Sequence, residues 1–165
     1  MTSQSLPTQL SRSSTLAQRV RDLVLGTHAD AAAPILRLGL AAVMFPHGAQ
    51  KVLGWFGGYG YEGTMGFLTQ SIGLPAPVAM LVIALEFFGP LLLLAGLAVR
   101  PIALGFIAIM IGAVATVHAP HGFFMNWSGE QAGEGFEYHL LVIAMSLALV
   151  IRGAGSASID KLLSR

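Results

Sequence analysis

Four long apolar blocks constrain this chain more than any other feature. They are Pro34–Leu53, Ala76–Val99, Pro101–Ala119 and Phe136–Ile151. The first three approach or exceed the roughly 20 residues that cross a bilayer core at about 1.5 Å per residue. The fourth has 16 residues and reads as a crossing of a locally thin region, or as one that begins below the headgroups. None alternates apolar with polar, so strands are disfavoured, and lipid admits helices for runs of this length. Composition agrees. Of 165 residues, 55% are apolar and 10% charged, against roughly 25% charged in an ordinary soluble domain. Disorder is excluded, as is a soluble single-domain enzyme with a normal polar surface. A net charge of +1 offers no basis for nucleic-acid binding, which needs clustered Lys and Arg. The chain has no cysteine, which removes disulfides, Cys-ligated zinc, iron–sulfur clusters and thiol chemistry.

The fold class expected is therefore all-α, a bundle of four transmembrane helices with an amphipathic N-terminal surface helix. Residues 1–33 read as a cytoplasmic tail carrying that helix, 34–153 as the transmembrane domain and 154–165 as a cytoplasmic C-terminal tail. Pro34 and Pro101 suit helix starts, where a missing N–H costs nothing. Leu74-Pro75-Ala76-Pro77 makes a stiff entry to the second helix, and Gly153 and Gly155 end the fourth. Pro46 and Pro90 lie inside helices and are expected to kink them. Gly39, Gly89, Gly96, Gly105 and Gly112 are expected at close helix contacts. Met1–Ser14 reads as a disordered tail, and the first 33 residues lack the compact apolar run after the basic residues that a signal peptide carries. In Thr15–Leu25, Leu16, Val20, Leu23 and Val24 share one helical face, a pattern that suits a helix lying in the membrane surface. Ser158 is a plausible N-cap for a short helix that groups Ile159, Leu162 and Leu163. Thr64–Ser71 is expected as a short helix across the outer mouth.

Charge orients the bundle. With four crossings, both termini and the Val99–Pro101 turn share one side. That side holds Arg12, Arg19, Arg21, Arg37, Arg100, Arg152, Lys161 and Arg165. The loops Gly54–Pro75 and Pro120–Gly135 hold no Lys or Arg, and only Lys51 departs from the pattern. By the positive-inside rule both termini are cytoplasmic, in a multi-pass protein of the bacterial inner membrane. Trp55, Phe56, Tyr59, Tyr61, Phe123, Phe124 and Trp127 in the outer loops suit the headgroup level.

Candidate functional residues are the polar ones at membrane depth. His47 and Lys51 stand four apart on one helical face. Glu86 lies near the middle of the second helix, His118 closes the third, and Glu137 and His139 open the fourth. Antiparallel neighbours bring all six to the outer half of the bundle. An ionised carboxylate at mid-membrane is costly, so Glu86 is expected to be paired with Lys51 or His47, protonated or hydrated. The set reads as a structural ion-pair network, as a ligand or redox-cofactor pocket, or as a proton or ion route. His118-x-x-His121 with Glu137-x-His139 matches no metal motif, and Ala119-Pro120 interrupts its helical geometry, so no metal site is assigned. His47 and His139, on different helices, leave axial haem ligation open. There is no P-loop and no dinucleotide fingerprint. Gly57-Gly58-Tyr59-Gly60 is a flexible turn, and Ser128-Gly129-Glu130 lacks a histidine at a recognisable spacing. No catalytic residue is assigned.

The same residues, taken in order, resemble the DoxX family of small bacterial membrane proteins from about Ile35 to Asp160. The likeness starts at Arg37-Leu38 and Phe45-Pro46-His47-Gly48-Ala49-Gln50-Lys51, followed by Gly54 and the aromatic, glycine-rich stretch to Phe67. Gly73-Leu74-Pro75, Glu86-Phe87-Phe88-Gly89, Leu94-Ala95-Gly96-Leu97 and Arg100 follow. Next are Met110, Ala113, His118, Gly122-Phe123, Glu137-Tyr138 and the closing Gly153–Asp160 segment. Ala154 departs from a position where proline is common in the family. The resemblance implies a four-helix inner-membrane protein linked to quinone or other redox metabolism, or to an oxidative-stress oxidoreductase complex. With no cysteine, electron transfer would need a cofactor or a redox-protein partner.

Three functions follow. The first is a redox-associated subunit in which His47, Lys51 and Glu86 bond to the polar atoms of a quinone-like ligand while His118, Glu137 and His139 exchange protons at the mouth. The second is a non-catalytic scaffold that anchors a partner protein. The third is a small-molecule or ion transporter. Whether the chain is an enzyme stays open, and glycine-lined faces allow a homo-oligomer as readily as tight packing within one subunit.

Overall fold

The computed structural model describes residues 15–28 and 30–164. The expected tail Met1–Ser14, with Arg12, and the terminal Arg165 lie outside the described residues. The described residues form helices and no strand. In chain order these are α1 (Leu16–Leu25), α2 (Ala32–Leu53), α3 (Gly60–Gly66), α4 (Ala76–Ala95), α5 (Val99–Ala113), α6 (Glu137–Arg152) and α7 (Ile159–Leu163). A π-helical turn, Phe67–Ser71, extends α3, and a second, Val114–His118, extends α5 before a short 3-10 turn at Ala119–His121.

Among the described residues, three helical runs are long and apolar enough to cross a bilayer: Ala32–Leu53, Ala76–Ala95 and Val99–His121. At 16 residues α6 is shorter. The helices are apolar on the outside as well as within. Leu81, Leu104, Ile111, Leu141 and Ile151 are all exposed, and a helix apolar all round requires a nonaqueous surround. Coarsely, then, this is an all-helical, multi-pass membrane protein.

Helix boundaries differ from expectation in several places, α2 among them, which starts at Ala32, two residues before Pro34. The second apolar block runs on to Val99, but α4 stops at Ala95. Gly96 takes the left-handed conformation, φ 67°, and closes the helix, which glycine does without a Cβ clash. The next helix starts at Val99, so Pro101 stands third in it rather than first. Its missing N–H still falls among the unbonded donors of the first turn. α3 starts at Gly60, four residues before the expected Thr64. Helices α2 and α4 run continuously through Pro46 and Pro90.

Packing pairs α2 with α4 and α5 with α6. The core joins Leu40, Ala41 and Met44 of α2 to Leu93, then to Ile102, Phe106 and Met110 of α5 and to Val142 and Leu149 of α6. A Cβ at Gly48 would lie 2.2 Å from the Glu86 carbonyl oxygen, so the α2 and α4 backbones touch there. That contact sets the height of Glu86 against the end of α2.

The opposite end of the bundle is tied by polar groups. Both Asp160 carboxylate oxygens accept backbone N–H groups that open α5, from Ala98 at 2.8 Å and Val99 at 3.0 Å. Asp160 is 1% exposed. Arg37, also buried, donates to the carbonyls of Leu93 (3.2 Å) and Ala157 (2.9 Å). Ser158 caps α7 as expected, accepting from the Lys161 amide. Thr15 and Gln18 form a reciprocal capping box at the start of α1. Arg100 donates to Leu23 O (2.9 Å) and Ile151 O (3.2 Å), placing a cation at the C-terminal ends of α1 and α6.

Candidate functional site

The site grows from a one-turn spacing on α2. His47 and Lys51 share a face, and Gly48 lets α4 come close enough for Lys51 to reach Glu86. Lys51 Nζ lies 3.1 Å from both carboxylate oxygens. Only Oε1 lies in hydrogen-bonding geometry; Oε2 is buried with no hydrogen-bond partner. Glu86 is 4% exposed, whereas the Lys51 side chain is 27% exposed. The pair is thus buried on the acid side and more open on the cation side. An ammonium has three protons, so Lys51 keeps donors beyond the one that Oε1 accepts.

From α6 comes an aromatic and imidazole row. The His47 ring lies 5.4 Å from that of Tyr138, Tyr138 lies 5.6 Å from His139, and His139 lies 4.1 Å from His118. The Tyr138 hydroxyl donates to the Met44 sulfur at 3.3 Å. His118 Nδ1 is 2.8 Å from the Glu134 carbonyl. His139 is buried, and its Nδ1 makes no hydrogen bond of good geometry, the Phe136 backbone being its polar neighbour within α6's first turn. Of five buried side-chain polar atoms without hydrogen bonds among the described residues, two stand here, Glu86 Oε2 and His139 Nδ1; the others are Arg37 Nε, Arg100 Nε and Ser146 Oγ.

Both residues line a cavity of about 570 Å³ between α4, α5 and the outer loops. That size falls within the roughly 300–1,000 Å³ of small-molecule pockets. Its walls are mostly apolar: Val78, Leu81, Val82 and Leu85 on α4, Ala108, Ile109 and Ala113 on α5. His47, Lys51, His118 and Tyr138 complete the polar end. Both π-helical turns contribute, with Phe67 and Leu68 from one and Thr116, Val117 and His118 from the other. π turns of this kind recur at functional sites.

Of the six residues singled out from the sequence, the structure brings His47, Lys51, Glu86, His118 and His139 to this cavity. Glu137 does not line it. Its carboxylate accepts from the Met125 amide (3.0 Å) and the Trp127 indole N–H (3.1 Å), holding the outer loop to the start of α6. The two positions are adjacent but one, and residues i and i+2 on a helix do not face each other. Tyr138, Met44, Thr116, Met125 and Glu134 line the cavity without having been singled out. Met44 had a signal, being one turn before His47. Among the described residues no group of three or more His, Asp or Glu side chains is placed to hold a metal ion.

The DoxX family model matches residues 32–119. The chain is 35% identical over 115 residues to a Bacillus subtilis (strain 168) protein named "Putative oxidoreductase CatD", covering 70% of this chain and 75% of that protein. No solved structure matches significantly.

Proposed function

The chain belongs to the DoxX family, and from that premise we propose that it is a membrane subunit of a redox system whose outer-half cavity receives a quinone-like apolar ligand. The observation that carries this reading is the buried Glu86 carboxylate, ion-paired to Lys51 yet with one oxygen accepting no hydrogen bond, at the polar end of a mostly apolar cavity. The relative named as an oxidoreductase supports the redox half of the reading. The residues fit such a group. Lys51 has spare donors for a ligand carbonyl, and Glu86 Oε2 is a free acceptor for a hydroxyl. His139 Nδ1 serves either role according to its tautomer. A bound quinone would supply two-electron, two-proton chemistry. The chain's own part is to hold the ring, exclude water through the apolar walls, and offer a proton path along the neighbouring His139 and His118 rings, 4.1 Å apart.

In this reading α6 is the fourth crossing, with Arg152 at its cytoplasmic end. The clustering of Arg37, Arg100, Arg152 and Lys161 at the end of the bundle that holds α1 and α7 supports cytoplasmic termini in a bacterial inner membrane. α1 has no buried residue and keeps Leu16, Val20 and Leu23 exposed, which supports a helix lying in the membrane surface. A redox-protein partner supplies or removes the electrons, since this chain has no thiol to do so.

The test is the content of the protein purified from its membrane. Organic extracts analysed by mass spectrometry, with visible absorption of the intact protein, should show a quinone that is depleted in Glu86→Gln. A wild-type protein that retains no redox-active compound and takes up none when offered ring-only or prenylated naphthoquinone would overturn the reading.

A further inference from the structure

We infer that this cavity opens sideways into the bilayer, and that its ligand is an amphiphile whose polar head meets Lys51, Glu86 and His139 while its apolar tail lies in a cleft between α4 and α5. This rests on the reading of the cavity as a ligand site and adds the route and the tail.

Three glycines along the α4–α5 hairpin measure how the helices part. At its base, a Cβ on Gly89 would meet Phe106 at 3.0 Å and Ile102 at 3.3 Å. At about the same height on the facing helix, beside Phe106, a Cβ on Gly105 would meet Leu85 Cδ2 at 2.2 Å. About two turns beyond that, by helical geometry, a Cβ on Gly112 would meet nothing within 4 Å. The helices are therefore closed at the hairpin and open above it. Val78 and Leu81 on one side, with Ala108, Gly112 and Thr116 on the other, line the cavity and are also exposed. The opening is thus in the flank of the bundle, within two of the runs apolar enough to cross a membrane. The opposite wall is shut, with Met44, Met110 and His139 buried.

The rim of the opening has little to offer water. Its one hydroxyl, on Thr116, already donates to the Gly112 carbonyl at 2.8 Å. A lipid chain fits such a slot. A hydrocarbon alone, however, would leave His139 Nδ1 without a well-formed hydrogen bond and Glu86 Oε2 with only its ion-pair contact to Lys51, and a buried polar group left unsatisfied is costly. The occupant that satisfies both ends carries a hydrogen-bonding head and an apolar tail.

The chain has no cysteine, so Ala108→Cys gives a single site for a small fluorophore in lipid nanodiscs. Phospholipids brominated along the acyl chain should quench it strongly and aqueous iodide weakly. Quenching by iodide, or by neither agent, overturns the lateral opening. In parallel, titration calorimetry compares a ring-only naphthoquinone with its prenylated form. Wild type should bind the prenylated form at least tenfold tighter. Gly112→Phe, which fills the open position, should cost the prenylated form far more than the ring-only form and so remove that advantage, with Gly112→Ala as the folded control. Equal affinities in wild type, or equal losses in Gly112→Phe, overturn the tail site. If neither quinone binds, the proposed ligand class fails. The amphiphile inference then stands only if native mass spectrometry finds a chain-bearing lipid retained by wild type and lost in Gly112→Phe, and it falls if none is retained.

Discussion

Replacing Lys51 by Met isolates the energetics of the ion pair. Methionine keeps much of the stem but removes the charge, leaving the Glu86 carboxylate 4% exposed and without its cation. Breaking a buried pair from one side costs about 3–5 kcal/mol. The Lys51 side chain is 27% exposed, so this pair is not fully dry, and about 2–4 kcal/mol is expected here. At 1.4 kcal/mol per tenfold, that is roughly a 30- to 700-fold fall in the folded-to-unfolded ratio. The assay is reversible unfolding in mixed micelles, read where the transition is two-state. The double variant Lys51→Met/Glu86→Met removes both charges and should recover to within about 1 kcal/mol of wild type, because no ion is left stranded. Glu130→Gln, at an exposed loop position, should stay within about 0.5 kcal/mol. A Lys51→Met loss below about 0.5 kcal/mol, or a double variant as unstable as the sum of the singles, would refute the reasoning.

Other substitutions probe the frame around the site. Gly48→Leu should destabilise by about 1–3 kcal/mol or more through overpacking, since its Cβ would meet the Glu86 backbone at 2.2 Å. Gly112→Ala should be neutral, or stabilising by up to about 1 kcal/mol, and denaturant midpoints compare the two. Asp160→Ala strips the acceptors from two backbone N–H groups in a buried setting and should cost about 2–4 kcal/mol, by the same measurement. Asp30, outside the membrane runs, has its pKa lowered from the usual 3.8, first by the Ala33 amide that donates to it and further by Arg152. Its stabilising contribution is therefore present above pH 3.8 and lost as pH falls through the lowered folded value. Asp30→Asn should trail wild type at neutral pH in thermal unfolding, and the gap should close in acid.

Much of the site was legible because helical spacing is local. His47 and Lys51 had to share a face, and Glu86 in an apolar helix had to find a cation. Proximity in the chain groups Glu137 with His139, but two residues of helix turn them apart, and Glu137 accepts from the loop's Met125 and Trp127 instead. The His118–His139 contact depends on how α5 lies against α6, which no spacing within either helix encodes. Asp160 reaches Ala98 across 62 residues, and nothing in the C-terminal stretch announced a cap for a distant helix.

Chain order and side-chain chemistry alone determine that this protein is helical and membrane-embedded. Hydropathy is summed along the chain, and a bilayer demands that each spanning segment satisfy its own backbone. Tertiary packing decided what those helices leave between them. Gly48 brings α2 against α4, Leu85 fills the gap at Gly105, and nothing fills it at Gly112. A cavity is a difference between large packed volumes, so its presence depends on side chains far apart in sequence. For the same reason, only the assembled bundle determines which buried polar atoms find hydrogen bonds and which, like Glu86 Oε2 and His139 Nδ1, are left without a well-formed one.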